Sequence, residues 1–315
     1  MENSELEGGR RLKRVVSISL GSKKRDHKVE AAILGEKFLI ERIGTDGDME
    51  KAIAYIKELD GKIDAFGMGG IDLYIVAGDK RYILRDAKRL KEAARITPMV
   101  DGSGLKNTLE RKVIEYLQEN LYVNFPEKKV LLVCGVDRFG MAEALENTGA
   151  SVTYGDLIFG LGLPFPLRSL KTLARAARVI APVVSQLPFE MIYPTGLKQE
   201  STVEKFGEYY QEADIIAGDF LFIKRYMPSS LEDKIIITNT VTHEDIEILK
   251  NRGAEQLITT TPELNGRSFG TNVMEAVLVA SAGGGRELSS IDYQMLLDKA
   301  GFVPRILDLR KAILA

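Results

Sequence analysis

The chain has 315 residues, 45% of them apolar and 28% charged, with a formal net charge of −2; this is the composition of a globular protein of about two domains. So small a charge supplies no long-range attraction to nucleic acid or to an anionic membrane. One cysteine and two histidines exclude an internal disulfide framework and argue against a Cys/His zinc site. Chemistry therefore falls to carboxylates, lysines or an organic cofactor.

Residues 1–13 read as a polar tail without the apolar core of a signal peptide, and no apolar run approaches the roughly 20 residues of a membrane span. A cytoplasmic protein is the expectation. Residues 14–21 (RVVSISLG) and 38–46 (FLIERIGTD) predict strands. Between 48 and 61, apolar residues at 49, 52, 53, 56 and 59 have the spacing of a helix with one buried face. Asp48 stands at its N-cap and Gly61 at its stop. Residues 62–70 read as a strand entering a glycine turn, and 71–86 as a hairpin around Ala77-Gly78-Asp79-Lys80. A short helix near 87–96, a strand at 97–100 and a long helix over 105–121 complete the first half.

Pro126 forbids continuation of that helix, and a boundary is expected within 122–129. Beyond it, strands at 130–134, 150–156, 213–219, 234–240 and 255–261 alternate with helices at 139–148, 167–210 (proline-punctuated) and 243–253. The strand centres are continuously apolar, as in a parallel sheet covered on both faces. This predicts an α/β protein of two domains, the C-terminal one a Rossmann-like doubly wound parallel sheet. The expected division is a tail (1–13), a substrate domain (14–125), a nucleotide-binding domain (126–285) and a C-terminal helical segment (286–315).

The stretch GVDRFG, 135–140, follows the first strand of the second half where a dinucleotide fingerprint would read G-x-G-x-x-G. Gly135 can make the tight turn, Gly140 can let the helix pack closely on the strand, and Asp137 replaces the middle glycine. Val136, Arg138 and Phe139 complete the turn, with Arg138 placed to offset the acid. Asp156 lies at the end of the next strand, where a carboxylate would accept from ribose hydroxyls. That pattern points to NAD, with NADP disfavoured by repulsion from Asp156; a plain βαβ unit with a surface acid is the other reading. Asn239 and Thr240 sit at a strand end where open α/β sheets hold ligands, while Thr242 with Asp245 suits a capping box. Arg267, between Gly266 and Gly270, lies on a polar connection at the same edge.

In the first half, Ser17 and Ser19 stand near basic residues suited to a carboxylate or phosphate. Gly69 and Gly70 could present backbone N–H groups to an anion. Asp101 and Lys106 are joined across a glycine turn, with Asn107 beside them, and a desolvated lysine can serve as general acid–base. Solvated loops and turns are the alternative reading of all three stretches.

Asp101-Gly102-Ser103-Gly104, a Leu- and Glu-rich helix, a linker and a βαβ unit occur in the order found in shikimate and quinate 5-dehydrogenases. The whole chain resembles bacterial proteins labelled quinate 5-dehydrogenase. The resemblance implies an NAD(P)-dependent oxidoreductase acting on a small polyhydroxy acid such as quinate or shikimate. It implies a carboxylate site at Ser17 and Ser19 and an interdomain acid at Asp101. The Asn-Val-Thr-x-Pro-x-Lys stretch that carries the lysine in that family is absent here, which leaves Lys106 as the candidate for the proton. The expected partners are a small-molecule substrate, with no nucleic acid and no membrane, and a homodimer is left open. A nucleotide- or metabolite-binding protein without catalysis, and an S-adenosylmethionine-dependent transferase, remain as alternatives.

Overall fold

A computed structural model describes residues 11–77, 80–192, 203, 205–261, 263–264, 267–283 and 288–310. The first lobe contains β1 (Lys13–Ser19), β2 (His27–Ile33), β3 (Glu36–Gly44), α1 (Met49–Leu59), β4 (Ala65–Gly69), β5 (Tyr74–Ala77), β6 (Lys80–Ile83), α2 (Arg85–Ala93), β7 (Met99–Val100) and α3 (Ser103–Glu119). Its main sheet runs β2-β3-β1-β4-β7. β1 is parallel to β3 and β4, and β2 is antiparallel to β3. β2 has no counterpart among the predicted strands. It is an edge strand that buries Val29 and Ile33 between polar neighbours, a pattern diluted in the sequence by the basic run before it. Asp48 caps α1 by accepting from Lys51 N–H at 2.9 Å. β5 and β6 pair as a hairpin whose tip, 78–79, lies outside the described residues.

Strand side chains alternate between two covered faces. Val16, Ile18, Phe66 and Met68 meet α1 and α2 through Ile56 and Leu90. Val15, Phe38, Ile40 and Ala65 face the other way, toward α3.

The second lobe contains β8 (Lys129–Leu132), α4 (Phe139–Asn147), β9 (Ser151–Tyr154), α5 (Leu170–Val184), α6 (Phe189–Ile192), α7 (Gly207–Glu212), β10 (Ile215–Gly218), α8 (Phe220–Tyr226), β11 (Ile235–Thr238), α9 (His243–Asn251) and β12 (Gln256–Thr259). A short ribbon, β13 (Glu263–Leu264) with β14 (Arg267–Ser268), leads to α10 (Thr271–Ser281), α11 (Ser290–Ala300) and β15 (Arg305–Asp308). The sheet runs β15-β12-β11-β10-β8-β9, parallel except for β15. Leu131, Ile216, Ile236 and Leu257 pack with α7, α8 and α9. Their sequence neighbours Val130, Ile215, Ile237 and Ile258 join the cluster that includes α4 and α10. Counted from β8, the parallel strands lie in the order 2-1-3-4-5, and a dinucleotide domain would run 3-2-1-4-5-6.

α10 follows the second sheet in sequence and packs on the first, against β1, β4 and α3. α11 also packs on α3, after which β15 returns to the second sheet. The chain thus passes between lobes after α3, before α10 and after α11. These crossings set the C-terminal ends of β1 and β4 opposite those of β8, β10 and β11, with a cleft between. Among the described residues no helix is long and apolar enough to cross a membrane.

Candidate functional site

The cleft encloses about 170 Å³. Ser17, Ser19, Arg25, Arg42, Asp72 and Lys106 line it from the first lobe, and Asp137, Arg138, Asp219, Asn239 and Thr240 from the second. Thr271 and Asn272, at the start of α10, form its floor with Phe269. Each second-lobe group sits just past a strand end because a parallel strand delivers its last residues to one rim of the sheet.

Two charge clusters cross the cleft. Lys106, in the first turn of α3 and buried, donates to Asp72 Oδ1 at 3.0 Å and to Asp137 Oδ1 at 2.7 Å. Burial lowers the lysine pKa, but Asp137 and Asp72 outweigh it and hold the ammonium above its ordinary value. Burial and the neighbouring Asp72 push the Asp137 carboxyl upward. The second cluster centres on Arg138, which pairs with Glu110 of α3 and, at 3.2 Å, with Asp219. Burial drives the Asp219 pKa upward, and the Arg138 guanidinium overcomes it, leaving the carboxylate below its usual range. Asn239 adds a bond from Nδ2 to Asp219 Oδ2 at 2.8 Å.

Four cations (Arg25, Arg42, Lys106, Arg138) and four carboxylates (Asp72, Asp101, Asp137, Asp219) line the cleft, equal numbers of each sign. Among the described residues, the hydroxyls Thr240 Oγ1 and Thr271 Oγ1 are buried without a hydrogen-bond partner, an arrangement that costs free energy unless something completes it.

Of the expected first-lobe residues, Ser17, Ser19, Gly69, Gly70, Asp101 and Lys106 do converge on the cleft. The expected Asp101–Lys106 pair does not form. Asp101 instead accepts from Leu73 N–H at 2.6 Å and from Ser103 N–H and Oγ at 3.0 and 2.6 Å, clamping the turn before α3. Lys106 turns instead to Asp72 of its own lobe and to Asp137 across the cleft. Ser17 accepts from Asn272 Nδ2 at 2.8 Å, and Ser19 from Arg42 at 2.8 Å. Gly70 has φ +75°, and a Cβ there would stand 2.8 Å from Gly21 N, so the glycine is needed for backbone approach. Asn107 is exposed and lies against Gly140, away from the cleft lining.

The dinucleotide turn is occupied by the protein's own acid. Asp156 folds back from the segment after β9 and accepts from Gly135 N–H at 3.0 Å and Val136 N–H at 2.8 Å. The donors that would cradle a pyrophosphate are therefore used, and the acid expected on a ribose is used with them. Burial raises the Asp156 pKa to about 6, while the Val136 and Gly135 donors oppose the rise. Asp137 is engaged by Lys106, and Arg138 is held by Glu110 and Asp219. Phe139 packs into the core. Gly140 gives α4 close approach to α3 at Asn107, where the expectation was the strand. Asn239 and Thr240 reach the cleft, and Thr242 with Asp245 makes the capping box. The Arg267 side chain lies outside the described residues.

Reasoning on the sequence missed Asp72, Asp219, Arg42 and Asn272. Asp219 carried the same strand-end signal as Asn239, and Asp72 lies two residues past Gly70 of the glycine turn. Arg42 lies mid-strand, where only register decides its direction.

Residues 104–309 match the family described as domain of unknown function DUF8754, and residues 14–101 match the one described as DUF8753. The chain belongs to the DUF8754 family. No curated protein matches it. Several solved structures resemble this DUF8754 chain at low scores. One is GanP, a glucose-galactose binding protein from Geobacillus stearothermophilus, 10% identical, with TM-score 0.39 and coverage of 97% of this chain and 100% of that one. Another is the periplasmic binding protein component of the arabinose ABC transporter from Shewanella sp. ANA-3, 9% identical, TM-score 0.35, coverage 96% and 93%. A third is a carbohydrate transporter solute binding protein from Agrobacterium radiobacter in complex with D-arabinose, 10% identical, TM-score 0.38, coverage 94% and 94%.

Several expectations are corrected here. The matched structures are sugar-binding proteins, one of them periplasmic, and not shikimate or quinate dehydrogenases. The oxidoreductase reading, the NAD and NADP assignments, the nucleotide-binding and S-adenosylmethionine alternatives and the cytoplasmic location do not stand. For NAD the physical reason lies in the turn that Asp156 closes. For quinate it lies in the cleft cations, since Arg42, Lys106 and Arg138 are each paired with a carboxylate of the chain.

Proposed function

We propose that this DUF8754 chain binds a small, neutral, hydroxyl-rich molecule of the sugar class in the interlobe cleft and does not transform it. The observation that carries the proposal is the cleft's balance of four cations and four carboxylates. Carboxylates, guanidinium groups and a carboxamide each present paired acceptors or donors, the geometry that vicinal hydroxyls can meet two at a time. Phe220 and Phe269 are among the apolar residues along the cleft. In this reading Lys106 is a ligand donor, not a proton relay. The second lobe is a doubly wound sheet that contributes through its strand ends. The likeness to sugar-binding structures is too distant to add weight.

Titration calorimetry with neutral monosaccharides and polyols, beside the matching sugar acids, tests the reading. A neutral sugar is expected to bind, its acid at least about tenfold more weakly, a difference of about 1.4 kcal/mol. Asp219→Asn is expected to weaken the neutral ligand. Preference for the acids, or no heat from any sugar, overturns the proposal.

A further inference from the structure

A second cavity of about 190 Å³ opens beside the cleft and is of the opposite character. Ile180, Ala181 and Val184 of α5 form one wall, and Leu157 and Leu161 a second. Tyr74 and Ile75 of the first-lobe hairpin form a third, so both lobes contribute. Its few polar groups already have partners. Asp156 holds the two backbone N–H groups of the turn, and Cys134 Sγ accepts from Asp219 N–H at 3.4 Å. Burial pushes the Cys134 thiol upward, which keeps that surface uncharged.

Asp137 and Phe222 line both cavities. The two spaces therefore adjoin at these two side chains, with Lys106 lining only the polar one.

We propose that the apolar cavity is a second subsite of the same ligand site, taking an alkyl or aryl substituent on the hydroxylated group held in the cleft. The inference rests on the sugar-class reading above. It makes the ligand amphipathic: a glycoside with an apolar aglycone, or another polyol joined to a hydrocarbon group. Specificity follows from the separation. The cleft holds the paired charges that hydroxyls need, and the apolar cavity disfavours hydroxyls because it would leave them without partners. Burial of a phenyl or hexyl group against Ile75, Leu157, Ile180 and Val184 supplies affinity that a methyl group cannot.

The test is calorimetry on the full chain with methyl, hexyl and phenyl glycosides of each sugar in the panel. The hexyl and phenyl compounds are expected to bind at least about tenfold more tightly than the methyl compound. Ile180→Trp fills the cavity and is expected to remove that gain while leaving the methyl glycoside within about twofold. Val184→Phe is a second filling variant should the first fail to fold. Equal affinity for methyl and phenyl compounds overturns the inference and leaves the cleft reading intact. If no glycoside binds, the cleft reading fails, and the fluorophore 1-aminoanthracene decides the cavity separately. Its fluorescence is expected to rise with wild-type protein and to be lost in the filled variants. No rise, or a rise insensitive to both variants, overturns the inference.

Discussion

Lys106 of the first lobe donates to Asp137 of the second across 2.7 Å, and with Asp72 at 3.0 Å it forms a three-charge bridge over the cleft. The lysine is buried and its stem is fixed in α3. Replacing it removes the cation that two carboxylates share. Lys106→Met is expected to lower stability by about 2–3 kcal/mol, less than for a wholly enclosed pair because Asp137 is about a third exposed. Adding Asp137→Asn is expected to restore part of the loss, because the carboxylate left behind is the source of the penalty. Urea denaturation of the two variants checks this; additive losses would mean the bridge contributes little.

Glu275 of α10 predicts a pH dependence. It accepts from Gly102 N–H at 2.6 Å and from Tyr293 Oη–H at 2.5 Å, and burial, then Asp101, raises its pKa from 4.5 to about 7. A folded state that holds a proton more tightly than the unfolded chain loses relative stability as pH rises between the two values. Stability is therefore expected to fall by on the order of 2–3 kcal/mol from about pH 4.5 to about pH 7. Asp156 acts in the same direction between 3.8 and about 6. Glu275→Gln is expected to flatten the slope between pH 6 and pH 7. Thermal melts across this range check it, and an unchanged slope in the variant would remove Glu275 as the cause.

Asp156 is expected to be structural. Asp156→Ala leaves the Gly135 and Val136 N–H groups without their acceptor and is expected to cost about 1–3 kcal/mol. NAD and NADP are expected to give no heat in calorimetry with the wild-type protein. A measurable enthalpy with either cofactor would mean that the turn can release Asp156.

We expect limited proteolysis to cut first near residues 122–129, where Leu121 and Tyr122 are exposed. The two fragments are expected to stay associated through gel filtration. α10 belongs to the C-terminal fragment but packs on β1, β4 and α3 of the other. Separation of the fragments without denaturant would contradict that packing.

The amino-acid sequence by itself determined most of the local architecture. Continuous apolar runs at β8, β10 and β11, the Asp48 cap and the Thr242–Asp245 box are short-range signals, and each appears where its residues predict it. Ser17, Ser19, Asp101, Lys106, Asn239 and Thr240 were legible as members of a polar site, since strand ends and glycine turns mark one rim of a sheet. Tertiary structure alone decided what those residues do. Asp101 and Lys106 are five positions apart, yet Lys106 pairs across the cleft with Asp137, 31 positions away. Asp156 has the spacing of a ribose ligand and is folded back onto the turn it was expected to serve. β2 and the return of α10 to the first sheet leave no periodic mark in the sequence. Local propensity acts over a few residues, whereas the direction of a carboxylate depends on which cation, N–H group or empty space the folded chain places opposite it. Spacing along the chain cannot supply that partner.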